Sequence, residues 1–338
     1  MPHHQEYCFC PKKNERFVNP HIERIRRGAL DFVLWKMGFF DDKKEKEAHP
    51  VPIDFSYPIP QNRFEENKPY AIWINHCTYF IHVEGVNVLT DPILSTRCSP
   101  FSFFGPKRRH PPALSLEQLP PIHVVVISHN HYDHLDKKTV LALHARNPDI
   151  IWLVPLGVRT WFFNLGITRV FEKGWWQEII LNLPHSSLHL KATAVPSQHF
   201  SGRKGFDLNR TLWAGWVLEF YQGEQVYKRC YFVGDTGYNL FDFKKIGERW
   251  LTMDLSLIPI GTYEPRRFMS SVHIEPQHAV LIHQEVGSKL SLAMHWKTFH
   301  LSDESLNRPP YDLFLALQER NLPCHCFLAV EPGVKVNW

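Results

Sequence analysis

The sequence predicts an α+β fold in which two stacked sheets are flanked by helices. Three observations predict it. Short runs of β-branched and aromatic residues outnumber helical stripes, and many adjoin closely enough to pair locally. The helical stripes fall between the strands and not in one block, so helices must cover sheet faces. With 44% hydrophobic and 21% charged side chains over 338 residues, the chain has the composition of a globular protein that can bury a large core.

Taken in order, residues 1–19 are polar and unpatterned and read as an arm. From Pro20 to Phe40, the apolar residues Ile22, Ile25, Ala29, Phe32, Val33, Met37 and Phe40 recur at steps of three and four, the stripe of an amphipathic helix. Arg24, Arg26, Arg27 and Lys36 lie off that stripe, so the helix suits either an anionic lipid surface or a face of its own domain. Residues 41–67, with the run DDKKEKE and several prolines, read as a linker. The division expected is therefore 1–67 for arm, helix and linker, and 68–338 for the main body. Within the body, strands are expected at Tyr70–Ile74, Thr78–Val83, Val86–Leu89, Ile122–Ile127, Ile150–Val154, Trp213–Phe220, Tyr227–Val233 and Leu255–Ile260. Helices are expected near Lys137–Arg146, Phe241–Trp250, Glu275–Val286 and Tyr311–Arg320.

Composition also excludes functions. No run of eighteen apolar residues could span a bilayer. Thirty-eight basic against 34 acidic side chains leave +4, too little for a chain that wraps nucleic acid, and no nucleic-acid partner is expected. Residues 1–16 carry no secretory signal, so a cytoplasmic, reducing location is expected, and the seven cysteines read as free thiols. Cys8 with Cys10 and Cys324 with Cys326 form two C-x-C pairs too far apart to count as a metal motif.

The abnormality is histidine: 21 residues against five methionines. Directly after the strand Ile122–Ile127 comes Ser-His-Asn-His-Tyr-Asp-His, in which His129, His131, Asp133 and His134 can all bind a transition metal. In a turn, His129 and His131 can face one way while Asp133 and His134 face another, which suits two adjacent cations. Further donors stand just past expected strands: His199 in Pro-Ser-Gln-His-Phe, Asp235 in Gly-Asp-Thr-Gly and His295 in Ala-Met-His-Trp.

H-x-H-x-D-H after a strand, then a single histidine, a G-D-T aspartate and a late histidine, resembles the metallo-β-lactamase superfamily. Thr90-Asp91-Pro92, Gly105–Arg108 (GPKR), Leu119–Ile122 (LPPI), Ile127–Asp136 (ISHNHYDHLD), Val154–Gly157 (VPLG), Gly234–Tyr238 and Pro259–Phe268 (PIGTYEPRRF) together resemble the family of N-acylphosphatidylethanolamine-hydrolysing phospholipases D and its bacterial relatives. Arg16–Pro20 (RFVNP) is similar to that family's opening segment, so the resemblance runs over residues 16–334. It implies an αββα sandwich of two mixed sheets with a dinuclear site at one edge. It implies two Zn2+ per chain, one held by His129, His131 and His199, the other by Asp133, His134 and His295, with Asp235 bridging. The nucleophile implied is a water acidified between the ions, so no serine or cysteine nucleophile is assigned. Asp91 resembles the carboxylate that orients a ligating imidazole, and His76 the histidine of the family's G-H-A-T segment, here Asn-His-Cys-Thr. His273 matches a histidine that assists near the second metal, by stabilising phosphoryl oxygens or protonating the leaving alkoxide.

Three departures bear on substrate. Val272 replaces the glutamine of the mammalian Gln-His pair, and Lys297 replaces a glycine and could put a cation at the metal rim. The insertion 201–210 (SGRKGFDLNR) supplies Arg203, Lys204 and Arg210 after His199, in position to hold a phosphate head, and Arg266 with Arg267 offers a second pair. The expected activity is hydrolysis of a phospholipid phosphodiester such as N-acylphosphatidylethanolamine to phosphatidic acid and an N-acylethanolamine, by a bacterial, cytoplasmic protein with peripheral contact to membrane. A homodimer is left open, since mammalian members are dimers but no segment here identifies an interface. The rivals are a cytosolic metal-dependent hydrolase of a phosphorylated sugar lactone or nucleotide phosphodiester, and a membrane-peripheral binding protein without turnover.

Overall fold

The computed structural model describes residues 10–22, 50–59, 65–183 and 186–338. The expected helix from Pro20 to Phe40 lies outside the described residues apart from Pro20–Ile22. A two-stranded ribbon, β1 (Lys12–Lys13) and β2 (Arg16–Phe17), precedes the body. The first sheet has seven strands. Five of them, β3 (Tyr70–Asn75), β4 (Thr78–Val83), β5 (Val86–Thr90), β6 (Val124–Val126) and β7 (Ile151–Pro155), come where the sequence predicts strands. The helices α1 (Lys137–Arg146) and α2 (Arg159–Phe163) are interleaved with β7, and β8 (Val170–Lys173) completes that part of the chain.

The second sheet follows: β9 (Glu178–Asn182), β10 (Leu188–Val195), β11 (Gly215–Gln222), β12 (Gln225–Phe232), α3 (Asp242–Trp250) and β13 (Met253–Pro259). After it come α4 (Arg266–Met269), α5 (Pro276–Glu285), β14 (Ser288–Met294), α6 (Arg308–Glu319), β15 (Phe327–Leu328) and β16 (Lys335–Asn337). The sheet orders are β16-β3-β4-β5-β6-β7-β8 and β9-β10-β11-β12-β13-β14-β15. Both are mixed: hairpins β3–β4–β5 and β10–β11–β12 run antiparallel, whereas β5–β6–β7–β8 and β12–β13–β14–β15 run parallel.

The inner strands β3 to β7 of the first sheet read as continuous apolar runs because both faces are buried. Ala71 and Trp73, Tyr79 and Ile81, Val124 and Val126 belong to the core between the sheets, joined from the other side by Leu190, Trp216, Leu218 and Phe232. The alternate residues Ile72, Ile74, Phe80, Val125 and Trp152 pack with Val140, Leu143 and Phe162 under α1 and α2. On the second sheet α5 covers β13 and β14, with α3 and α6 on its flanks. Pro276 at the first turn starts α5, where its missing N–H costs nothing. The N-terminal segment belongs to this core too: Phe17 and Tyr57 are buried in it, and Tyr57 Oη donates to the Phe327 carbonyl at 2.6 Å. No helix among the described residues is long and apolar enough to cross a membrane.

Candidate metal centre

Parallel strands end at one edge of the sandwich, and the loops leaving those ends carry the histidines. Asp91 follows β5, residues 128–136 follow β6, His199 follows β10, Asp235 follows β12, Thr262 follows β13 and His295 follows β14. Several of these turns, and the β3–β4 turn beside them, hold non-glycine residues at positive φ: His76 at 42°, Asp91 at 30°, Thr262 at 66° and His295 at 62°. Such backbone is sparsely populated and persists where its surroundings over-determine it. Gly234, at φ 67°, makes the close approach that puts Asp235 in place, since a Cβ there would come 2.7 Å from Ser128 Cβ.

The loops bring all seven predicted donors together. His131 Nδ1 is 2.8 Å from His129 Nε2 and 3.3 Å from His199 Nε2, which closes one group. Asp133, His134, Asp235 and His295 close a second. Asp235 Oδ2 stands between them, 3.2 Å from His134 Nε2, 3.2 Å from His295 Nε2, 3.7 Å from His199 Nε2 and 3.9 Å from His129 Nε2. Asp133 Oδ2 is 3.3 Å from His134 Nε2 and 3.7 Å from His295 Nε2.

Four of the five imidazoles are held at the nitrogen away from the cluster. His134 Nδ1 meets Asp91 Oδ2 at 2.7 Å, His129 Nδ1 meets Ser128 Oγ at 2.9 Å, His199 Nδ1 donates to the Val272 carbonyl at 3.0 Å, and His295 Nδ1 is 3.2 Å from Thr262 Oγ1. Partners at that nitrogen fix ring orientation and tautomer, the arrangement metal-binding imidazoles use. Asp91 also accepts from the Ser128 backbone N–H at 2.7 Å, so one buried carboxylate orients both ends of the motif.

Electrostatics divide the cluster. Burial, with the neighbouring His134 and His131, holds the His129 pKa well below its ordinary value, and burial takes His199 down to about 3 against the pull of Asp235. Burial acts the same way on His134 and His295 but is outweighed by Asp235 and Asp133, which hold His134 well above the ordinary value and His295 at about 9. Burial opposes ionisation of both carboxylates; His134 and its neighbours nevertheless hold Asp133 and Asp235 well below the usual range.

A metal ion fits this set. His134 Nε2, His295 Nε2 and Asp235 Oδ1 are buried without a hydrogen-bond partner, although an unpaired buried polar atom ordinarily costs about 1–3 kcal/mol. Nitrogen and carboxylate donors converging from four loops match the borderline cations, zinc among them.

The other predicted residues separate. His273 Nδ1 lies 4.0 Å from Asp235 Oδ2 and groups with His199 and Asp235. His76 Nε2 meets Asp133 Oδ2 at 3.0 Å, a supporting contact. The replacement at Val272 is without polar consequence for His199, because residue 272 contributes its carbonyl. Arg203 is tied to the histidine loop. Its Nη1 donates to the carbonyls of Asn130 at 2.8 Å and Leu135 at 2.7 Å, and its guanidinium lies 3.9 Å over the Tyr132 ring, so it clamps the histidine loop. The Lys297 ammonium pairs with Glu331. Arg210 is exposed at the end of the insertion, while Arg266 pairs with Glu275 and donates to the His273 carbonyl at 3.1 Å.

Sequence reasoning missed Asn19, whose Nδ2 donates to the His199 carbonyl at 2.8 Å and whose Oδ1 accepts from the His199 N–H at 3.1 Å. Its signal was the RFVNP segment. Ser128 and Thr262 were also missed. A cavity of about 660 Å3 lies beside the histidine loop, lined by Phe101, Asn130, Tyr132, Lys137, Trp161 and Arg203 among others.

Comparison with known proteins gives concordant matches. The β-lactamase superfamily domain matches residues 86–296. The chain is 40% identical over 278 residues to the Caenorhabditis elegans N-acyl-phosphatidylethanolamine-hydrolyzing phospholipase D 1, covering 79% of this chain and 75% of that protein. It is 39% identical over 321 residues to an uncharacterised protein of Mycobacterium tuberculosis, covering 93% and 79%. Among solved structures, a metallo hydrolase from the archaeon Ignicoccus hospitalis superposes with a TM-score of 0.56 at 18% identity, covering 80% of this chain and 99% of that one, a likeness of fold.

Proposed function

The chain belongs to the N-acylphosphatidylethanolamine-hydrolysing phospholipase D family of the β-lactamase superfamily, and from that premise we propose that this metal-dependent hydrolase cleaves the head-group phosphodiester of N-acylphosphatidylethanolamine. The observation that carries the reading is the convergence of His129, His131, His199, Asp133, His134, His295 and Asp235 with unpartnered donor atoms left among them. We assign the first three to one Zn2+ and the second three to another, with Asp235 between.

Two bound zinc ions supply an acidified water and charge neutralisation for the phosphoryl oxygens. The protein's own groups do the rest. Asp91, Ser128, Val272 and Thr262 hold the imidazoles in register, which keeps the donors pre-organised before substrate arrives. His129 and His199 stay neutral at physiological pH and offer lone pairs. We assign to His273, with Nδ1 4.0 Å from Asp235 Oδ2, the transfer of a proton to the departing alkoxide. In the balanced reaction the P–O bond to the ethanolamine arm breaks, the water oxygen ends on phosphatidic acid, and the proton ends on the N-acylethanolamine hydroxyl.

A lipid substrate is further supported by the surface. Phe101, Phe103 and Phe104 on one loop, and Phe206 and Leu208 on the insertion, are exposed, and exposed lysines 107, 137, 138 and 204 accompany them. Aromatic rings with basic neighbours favour an anionic interface. The test is mass spectrometry of N-acylphosphatidylethanolamine vesicles incubated with zinc-loaded protein or with His131→Ala. Phosphatidic acid and N-acylethanolamine appearing only with the parent protein is the expected result. Unchanged lipid alongside turnover of a soluble diester would move the substrate to the soluble phosphodiesters.

A further inference from the structure

Inward of Asp133 the cluster continues into the β3–β4 turn. One donor atom from each of His76, Cys77, His134 and His295 lies within 4.8 Å of the others, and all four side chains are buried. Three imidazole nitrogens here have no hydrogen-bond partner: His76 Nδ1, His134 Nε2 and His295 Nε2. His76 uses its other nitrogen on Asp133, and its ring centroid lies 4.1 Å from that of His295 and 5.2 Å from that of His134. The turn is held firmly. The His76 N–H donates to Thr298 Oγ1 at 2.7 Å, and its carbonyl accepts from the His295 N–H at 3.0 Å and from Trp73 Nε1 at 2.8 Å, which fixes the left-handed backbone at His76.

Core packing alone accounts for a small apolar residue at position 77 but not for a buried thiol within 4.8 Å of donor atoms on three buried histidines, one of which, His76, lies outside the hydrolytic set. We propose that His76, Cys77, His134 and His295 form a thiol-containing position for a thiophilic divalent cation, Zn2+, Cd2+ or Co2+, alternative to the hydrolytic set. It rests on the metal-hydrolase reading in that it shares His134 and His295, so a single cation can use those two imidazoles at a time. Binding converts the Cys77 thiol to thiolate and releases one proton to solvent. Sulfur in the donor set favours soft ions over oxygen-seeking ones. Cations that prefer sulfur therefore draw His134 and His295 away from Asp133 and inhibit.

The experiment is a Co2+ titration of the metal-free full chain, read by absorption, in the parent protein, Cys77→Ala and Cys77→Ser. The expected result is a near-ultraviolet sulfur-to-cobalt band in the parent that both variants lose, while visible d–d bands persist in all three from the His129, His131 and His199 set. Cd2+ affinity falls by about tenfold or more in the variants and Mn2+ affinity does not change. Cadmium-113 NMR of the parent protein, which requires no variant, reads sulfur coordination directly from its downfield shift. Visible bands without the sulfur band in the parent, or a sulfur band that survives in Cys77→Ala, overturns the proposal and leaves the hydrolase reading standing. No cobalt bands at all in the parent sinks both.

Discussion

Asn19 holds His199 by its backbone, not by its ring, and does so from a segment that precedes the sandwich in sequence by some fifty residues. Both hydrogen bonds are buried, so Asn19→Ala exposes two backbone groups to a dry environment without replacement partners. We expect a loss of about 1–3 kcal/mol in denaturant unfolding and a fall of about tenfold or more in metal affinity, with secondary structure retained in circular dichroism. Unchanged metal affinity would show that β10 alone positions His199. The seven donors were legible in the sequence because their chemistry restricts residue type and the chain spaces them around strands. The groups that aim them were less so. Val272 acts through a carbonyl, which any residue owns, and Asn19 acts through an amide that reads as a turn former. Arg203 and Lys297 show the converse limit. Proximity in sequence to a donor did not say where a long cation would point, and intramolecular carbonyls and Glu331 took them.

Among elements, strands buried on both faces announced themselves. β3 to β7, β11 and β13 are largely apolar runs, and their sequence limits come within a few residues of the structural ones; β12 (QVYKRCYF) is apolar and buried only in its last three residues. β9, β10 and β14 were not foreseen. β10 reads LHLKATAV, and its short or charged residues alternate too weakly to stand out, yet it carries His199 at its end. β14 begins with Ser-Lys and becomes apolar only at Leu290. What neighbouring strands contribute to a parallel or antiparallel ladder is not written in the strand itself. Loops are the other elements that matter. If Phe103 and Phe104 meet lipid, Phe103→Ser/Phe104→Ser should lower turnover on vesicles by about tenfold or more and leave a soluble diester unaffected, since burying each aromatic in an interface is worth about 1.5–3 kcal/mol. Steady-state rates on both substrates decide it, and equal loss on both would place these residues in the fold and not at an interface.

At the scale of the whole molecule, two sheets bring donors of opposite proton demand to one edge, and that difference makes metal loading depend on pH. His129 and His199 titrate far below neutrality, so a cation at their set displaces no proton from them at pH 6–9. His295 titrates at about 9 in the metal-free protein, and His134 is also raised, because Asp235 and Asp133 favour their charged forms. A cation at that second set must displace those protons. Its affinity should fall by about tenfold for each pH unit below 9, and by more where His134 also releases its proton. Calorimetric titration in buffers of different ionisation enthalpy counts the protons: one tight phase with no buffer dependence and one with release of a proton or more. The same shift sets the stability of the metal-free protein. A pKa raised on folding contributes stability that is complete below the unfolded value of about 6.5 and is lost as pH rises through about 9. Metal-free protein should therefore lose thermal stability between pH 6.5 and 9, where Asp133 and Asp235 remain ionised, while loaded protein gains relative to it over the same range. Two metal-binding phases with identical buffer dependence would mean that the carboxylates do not divide the cluster as their distances indicate.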